Sequence, residues 1–438
     1  MRAGGCSQDQ IARFQGDVKR FLSGEGGCIR EEDIESVGRL PARADLLASP
    51  NQGDLPRLVV IKLNGGLGTS MGLDIPKGAI AVKQGLSFLA ISALQVQKLA
   101  VPLILMNSFA TRELSLKIVQ AVQLQQDVPP DFLQSRVPKI DIAAQGPASY
   151  PEDPDLEWCP PGHGEIYSAL RATGLLDQLL EQGYHYAFVS NVDNLGASVD
   201  TTILRWVIES ELDFAMEVTA RTPLDRKGGH LARRKHDGRL VLREVAQCPS
   251  DQLKAFEDVD KHRYFNTNNL WINLKSLKAL SQPPQLPLIV NRKNVNPADR
   301  TSAQVVQLES AMGAAISSFP HSQALEVERQ RFVPVKTTAD MLRLSSDLYQ
   351  LDSQYHLNFV GTHESPEITL DDRFFRNFGD YQKRFPLAPS LKNCLSLRIE
   401  GDVGFTGAPP VFEGHVHIHS GSTRTLEGPG PFHGSLDL

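Results

Sequence analysis

The sequence predicts an α/β fold, a mostly parallel sheet covered by helices on both faces and followed by a smaller β-rich region. Three observations carry that prediction. Residues 58–66 (LVVIKLNGG) form an apolar strand pattern that runs straight into a glycine-rich loop. Strand-like and helix-like patterns then alternate as far as about residue 350, the rhythm of strands joined by crossover helices. Beyond His356 the helical spacing stops, and short apolar pieces cut by Gly and Pro replace it with period-two alternation.

Taken in order, residues 7–22 set Ile11, Phe14, Val18 and Leu22 at helical spacing, and residues 30–47 repeat the pattern around Ile34, Val37, Leu40 and Leu46. Together they predict a short helical preface. After the glycine-rich loop, residues 87–99 predict a helix, 102–109 a second apolar strand and 111–126 a second helix. The order returns with a helix over 166–181, a strand and loop over 185–194, a helix over 201–211 and a strand over 214–221. Helical spacing recurs over 302–317 and 338–351. In the tail EGxV occurs at residues 400–403 and 413–416, a repetition that hints at stacked solenoid turns.

Composition limits the function classes. A chain of 438 residues allows two or three domains. With 41% hydrophobic and 22% charged residues it reads as globular rather than fibrous or disordered. The formal charge of −6 disfavours a broad nucleic-acid surface and leaves room for a local basic pocket. Five scattered cysteines, without a CxxC pair or zinc-finger spacing, predict reduced thiols and a cytoplasmic location. Neither a membrane span nor export is expected from the pattern of apolar residues.

The densest chemical signal is LNGGLGTSMG, residues 63–72. Gly65, Gly66, Gly68 and Gly72 allow backbone amides to approach anionic oxygens, and Lys77, behind Pro76, would add an ammonium. The loop lacks the GKS or GKT of a P-loop and the GxGxxG of a dinucleotide fold, and alone it is also a common tight turn. Asp193, in NVDN, ends an apolar strand where α/β sheets carry ligand-binding groups; a helix cap is the alternative. FNTNNLW, residues 265–271, offers amides suited to sugar hydroxyls, or else an Asn-rich turn ahead of a strand. A lone lysine such as Lys336 reads as surface charge, and a lone histidine such as His163 as structural.

LNGGLGTSMG with IPK, then LMNSF, FLQSR, CPPGHGEIY, VSNVDNLG, FNTNNLW and FVPVKTT, occur in that order. Over about residues 58–350 the chain closely resembles the eukaryotic-type UTP:glucose-1-phosphate uridylyltransferase family, also called UDP-glucose pyrophosphorylase. Related UDP-sugar and UDP-N-acetylhexosamine pyrophosphorylases are less similar, because their loop usually carries Arg where this one has Ser70. The resemblance implies a Rossmann-like, mixed and mainly parallel nucleotidyltransferase core with a C-terminal left-handed β-helix. It implies reversible, Mg²⁺-dependent uridylyl transfer from UTP to glucose 1-phosphate, by in-line attack of the sugar phosphate on the α-phosphorus. Such chemistry needs cations, amide donors and usually a divalent metal to hold two polyanions together, and no protein nucleophile.

By the same resemblance Lys336 and Lys77 are the catalytic lysines. UTP binding falls to Leu63, Asn64, Gly65, Gly66, Lys77, Gln134, Gly162, Asn191 and Lys336, with Gln134 reading the uracil edge. The sugar phosphate falls to His163, Asn191, Val192, Asp193, Asn266 and Asn268, and Asp193 is the Mg²⁺ ligand. The implied domains are a helical segment over 1–50, the nucleotidyltransferase domain over 51–350 and a β-solenoid over 351–438. The implied partners are UTP and glucose 1-phosphate, without nucleic acid or membrane. Homo-oligomer assembly through the C-terminal domain is implied as well, although the GPGPF stretch departs from the family pattern there. The alternatives are a broader UDP-sugar pyrophosphorylase, or a catalytically silent UDP-sugar-sensing scaffold, against which intact Lys336, Lys77, Asp193 and His163 speak. Two features stand outside this scheme. His415, His417 and His419 share one strand face, as a polar surface or a three-His metal site. Cys159, beside PPGHG, is either a buried inert thiol or a redox-sensitive one.

Overall fold

A computed structural model describes residues 1–2, 6–24, 27–47, 53–297, 299 and 301–438. The preface helix forms as α1 (Gln8–Leu22), opened by a capping box between Ser7 and Gln10. Its Phe14, Val18 and Phe21 pack on a small core around Ile140, Val306 and Leu308. The apolar run becomes β1 (Leu58–Asn64), buried at every position because both sheet faces are covered. There follow α2 (Phe88–Leu99), β2 (Leu103–Asn107), α3 (Arg112–Val122), β3 (Asp131–Leu133), α4 (Ile166–Ala172), α5 (Leu175–Glu181) and β4 (Tyr186–Asn191). Next come α6 (Thr201–Glu209), β5 (Phe214–Ala220), β6 (His230–Arg234), β7 (Leu240–Arg243) and β8 (Tyr264–Asn273). Then β9 (Ile289–Asn294), β10 (Gln304–Glu309), β11 (Ser322–Glu326) and α7 (Thr338–Ser345) lead to the tail.

The central sheet is mixed. β3, β2, β1 and β4 are parallel neighbours, while the long β8 runs antiparallel to both β4 and β5. Parallel pairing is otherwise limited to β5 with β11, because β8 runs against the strands on either side of it. The sheet separates two cores. Leu58 and Val60 point into one with Phe88, Phe188 and Trp271; Val59, Ile61 and Leu63 point into the other with Tyr167, Leu170 and Phe214.

Four predicted elements differ. Residues 30–47 are not a helix: Ile34–Glu35 pairs with β6, single 3₁₀ turns flank it, and Pro41 interrupts any helical run. Its apolar residues are drawn individually onto the sheet and the second core, so tertiary pairing overrides spacing. Residues 302–317 hold β10, whose Val305, Val306 and Leu308 are buried in a hairpin with β9, and then a 3₁₀ turn; a short apolar run fits either period. Gly174, at φ +73°, divides the helix expected over 166–181 into α4 and α5. α7 stops at Ser345, and Tyr349–Leu351 is a strand.

The tail stacks β12 (Glu367–Leu370), β13 (Ser390–Glu400), β15 (Val411–His419) and β17 (Phe432–Asp437) as one parallel sheet, with β14 (Val403–Thr406) and β16 (Arg424–Glu427) paired parallel beside it. The two EGxV copies do not lie over each other: Leu397 pairs with Val416, and Val416 with Gly434. Its interior is aromatic, with Phe405, Phe412 and Phe432 in mutual contact at 5.5–5.7 Å between ring centres. The same apolar cluster that holds Phe88 and Phe188 continues into Phe375, Phe412 and Ile418. The three tail histidines line one face but take separate partners: His415 bonds Ser396, His417 bonds Glu400, and His419 lies 3.7 Å from Asp437. That is a polar outer face and not a converging ligand set. Cys159 is buried, which pushes its thiol up to about 12 and makes it inert at neutral pH. Among the described residues no helix is long and apolar enough to cross a membrane. The expected boundary at residues 50 and 51 lies outside the described residues.

Phe412→Ala should lower stability by about 3–5 kcal/mol. Denaturant unfolding measures this, and a loss of under about 1 kcal/mol would contradict the packed tail interior.

Candidate functional site

Because β1, β2 and β4 are parallel, their carboxyl ends share one edge of the sheet, with Leu63 opposite Asn191 and Asn64 opposite Asn107. Val192 N–H donates to the Leu63 carbonyl at 3.1 Å, joining the two strand ends. Asn64 Nδ2 donates to Asn107 Oδ1 and Ser115 Oγ, both at 2.7 Å; Asn107 donates to Asp131, which Arg112 holds at 2.8 Å. The buried Asn64 amide nitrogen is thus committed to the fold.

The glycine loop leaves this edge with Gly68 and Gly72 at φ +57° and +66°, the left-handed region that side chains avoid. A Cβ on Gly65 would stand 2.6 Å from Gln134 Nε2, so two predicted nucleotide contacts touch. A Cβ on Gly72 would collide with Asn377 Nδ2 in the tail. Lys77 N–H closes the loop onto the Gly66 carbonyl at 3.3 Å, and Lys77 Nζ pairs with Asp193 Oδ2 at 2.5 Å.

The CPPGHGEIY turn is anchored to Ser310, whose N–H donates to Pro161 O at 3.0 Å and whose carbonyl accepts from Gly164 N–H at 2.9 Å. Gly162 sits at φ +83° against that residue. Met312 N–H donates to His163 Nδ1 at 3.0 Å, which assigns the imidazole proton to Nε2. Burial lowers the His163 pKa to about 4, so the ring is neutral near pH 7. Glu165 accepts from Ser135 N–H at 2.8 Å and from its hydroxyl, tying the turn to the loop after Gln134. Burial raises the Glu165 pKa.

FVPVKTT reaches the same edge by a single bridge, Asn194 to Pro334. Val333 N–H donates to Asn194 Oδ1 at 2.9 Å and Val335 N–H to Asp193 O at 3.3 Å. Lys336 is exposed, and its N–H bonds Asp340, which with Thr337 caps α7. The amides of FNTNNLW lie within β8, at a register shift opposite Glu217 and Val218, and not in a turn ahead of a strand. There Asn268 adopts φ +58° and exchanges hydrogen bonds with Asn266 at 2.8 and 2.9 Å. Since β8 is antiparallel to β4, this amide-rich half extends past the edge where β4 ends.

Sequence reasoning passes over several groups here. Glu244, just after β7, lies against Gly229; burial raises its carboxyl pKa and the Lys336 ammonium draws it back down. REVAQ carries no signal for this. Glu217, Arg331 and Asn269 form a buried network behind the Asp193 loop. Its sequence trace is only the arginine preceding FVPVKTT. Among the described residues no three His, Cys, Asp or Glu side chains converge on a metal position. One carboxylate at this edge nevertheless fits Mg²⁺, which takes few protein ligands.

A glycine-rich loop, two lysines and an acidic residue at the carboxyl edge of such a sheet define a nucleotide-binding α/β protein with a polyanion site. Residues 11–408 match the family described as UTP–glucose-1-phosphate uridylyltransferase. The enzyme of that name from Pyrus pyrifolia is 40% identical over 97% of this chain and 92% of its own. The Trypanosoma brucei UDP-glucose phosphorylase structure superposes with a TM-score of 0.91 at 40% identity, covering 100% of this chain and 98% of that one. A Leishmania major UDP-glucose pyrophosphorylase mutant, in complex with UDP-glucose, gives 0.91 at 37% identity with the same coverage. The chain belongs to the UTP–glucose-1-phosphate uridylyltransferase family.

Gly65→Ala should displace Gln134 and raise the KM for UTP about tenfold while leaving the fold intact. Steady-state kinetics read this, and an unchanged KM would mean that Gln134 does not bind the nucleotide. Folding favours neutral His163, so its contribution is complete above the ordinary value of 6.5 and is lost as pH falls toward about 4. His163→Asn should flatten part of that acid loss in thermal melts, and His185 and the stacked pair His230 and His262, which burial also holds low, add to what remains.

Proposed function

We propose that this chain transfers uridylyl from UTP to glucose 1-phosphate, giving UDP-glucose and pyrophosphate reversibly. The observation that carries the reading is the convergence of Lys77, Asp193 and the Lys336 segment at one sheet edge, between the glycine loop and the amides of β8. A sugar-phosphate oxygen attacks the α-phosphorus, and the bond to the β-phosphate oxygen breaks, so that pyrophosphate departs with its electrons. The attacking phosphate is already ionised near pH 7, and no protein base is required.

In this reading Gln134, Gly162 and the backbone of residues 63–66 hold the uridine, with Asn191 beside it. Lys77 exchanges Asp193 for the triphosphate, and Lys336 neutralises charge gathering on the transferring phosphorus. His163, kept neutral by burial, offers Nε2–H to the sugar phosphate without adding a charge that would titrate near neutrality. Asn266, Asn268 and Val192 line the glucose side, where paired amides match hydroxyls that both donate and accept. Asp193 would hold Mg²⁺, which supplies charge neutralisation across the phosphates when bound.

The finer features go with the same proposal. The two parallel stacks of the tail support a left-handed β-helix, and the sites proposed here all fall within the expected 51–350 domain. Cytoplasmic location and assembly through the tail complete the reading.

Pyrophosphate release with UTP, Mg²⁺ and a panel of sugar 1-phosphates tests the proposal; no release with glucose 1-phosphate would end it, and equal rates across the panel would favour the broader enzyme. Lys336→Met should cost about 10²-fold or more in kcat. Asp193→Asn should raise the Mg²⁺ concentration needed for half-maximal rate, and an unshifted Mg²⁺ dependence would remove the metal role from Asp193.

A further inference from the structure

We infer that Arg331 is a positioning residue for the reaction, orienting Lys336 and the Asp193 loop through a buried fork to Glu217. The inference rests on the roles proposed above for Lys336 and Asp193. The Arg331 side chain is 11% exposed and its partner is fully buried. Nε and Nη2 each lie 2.7 Å from one carboxylate oxygen of Glu217, the two-bond geometry that fixes direction as well as distance. Glu217 has further donors of its own, Trp271 Nε1 at 2.9 Å and Asn269 Nδ2 at 3.0 Å. Both of its oxygens are therefore satisfied from β8 as well as from Arg331.

The remaining groups of Arg331 bind the loop that carries Asp193. Nη2 donates to Ser198 O at 2.9 Å, and the Arg331 carbonyl accepts from Asn194 Nδ2 at 3.1 Å and Asn269 Nδ2 at 3.2 Å. Gly196 packs so closely that an added Cβ would stand 2.9 Å from the Arg331 carbonyl carbon. The side chain thus ties β5 to the loop after β4, and the backbone carbonyl ties that loop and β8 to the Arg331 segment. From that anchor the chain reaches Lys336 in five residues, with Val333 and Val335 bonded to Asn194 and Asp193 on the way. Lys336 itself is exposed, and this tether, with buried Val335 and the α7 cap, leads the chain to it.

A buried ion pair is a poor source of net stability, since well-packed neutral groups often do as well. The arrangement is instead suited to orientation, and that distinction can be measured. Two changes remove the fork without stranding a buried charge: Arg331→Lys, and Arg331→Met combined with Glu217→Gln. Each is made in the natural chain and on a Lys336→Met background, with kcat, the KM for UTP and for glucose 1-phosphate, and the thermal midpoint recorded. The expected result in the natural background is a kcat about tenfold lower or worse, with both KM values within about threefold; on the Lys336→Met background the further loss is under about twofold, because the tether then has nothing left to orient.

Equal fold losses in the two backgrounds would overturn the inference, as would a loss confined to KM or a kcat within about twofold of the natural chain. Failure of both variants to fold would assign the pair to folding alone and overturn it too. Near-normal turnover of Lys336→Met by itself would instead remove the proposed role of Lys336, and this inference with it. An inactive Lys336→Met beside an Arg331→Lys of normal turnover removes only the inference.

Discussion

The parallel register of β1 on β4 is the constraint from which the site follows. It sets Leu63 opposite Asn191, brings Val192 N–H to the Leu63 carbonyl and lets the glycine loop and the Asp193 loop leave the sheet side by side. Because both faces are buried, a slip of one residue would not trade core for solvent; it would exchange the two cores. Lys62 makes that exchange costly. Only 2% exposed, it donates to Ser190 Oγ at 2.7 Å and Ala197 O at 2.8 Å, and burial lowers its pKa to about 7. On the opposite face the amine would lose both acceptors and stand unpaired among Tyr167, Leu170 and Phe214.

Around that register polar side chains are buried in matched sets rather than singly. Asn64, Asn107, Asp131 and Arg112 form one chain across β1, β2 and β3; Glu217, Arg331, Asn269 and Trp271 form another across β5 and β8. Such networks are stable only when nearly every member is paired, and so they hold strand ends at fixed distances in a way that apolar packing alone does not. The result is a net acidic protein that presents Lys77 and Lys336 at one small edge. Overall charge described its surface, and the local sets describe its site.

What could be read from the sequence follows from how local each cause is. β1 and β4 were legible because a largely apolar run bounded by Gly or Asn has few other uses, and α1 because Ile11, Phe14, Val18 and Leu22 recur at helical spacing. Residues 30–47 were not, since Ile34 and Leu40 answer to partners two hundred residues away. β10 shares its spacing with a helix, and only its pairing with β9 decides. At the site, Lys77, Asp193 and His163 stand in motifs visible in the sequence, and the backbone contact expected of Asn64 is compatible with an amide nitrogen bonded to Asn107 and Ser115. Glu244 and Arg331 owe their positions to strands that meet only after folding, so no local pattern marks them.

Gly72 and Asn377 show how far such dependence extends. Anything larger than glycine at position 72 demands something smaller at 377, yet Asn377 also accepts the N–H groups of Gly379 and Asp380 to start the helix Phe378–Arg384. The two positions are a single choice made across some three hundred residues of chain. A loop that looks free to vary in sequence is thereby bound to the start of a distant helix, and drift at one end is answerable at the other.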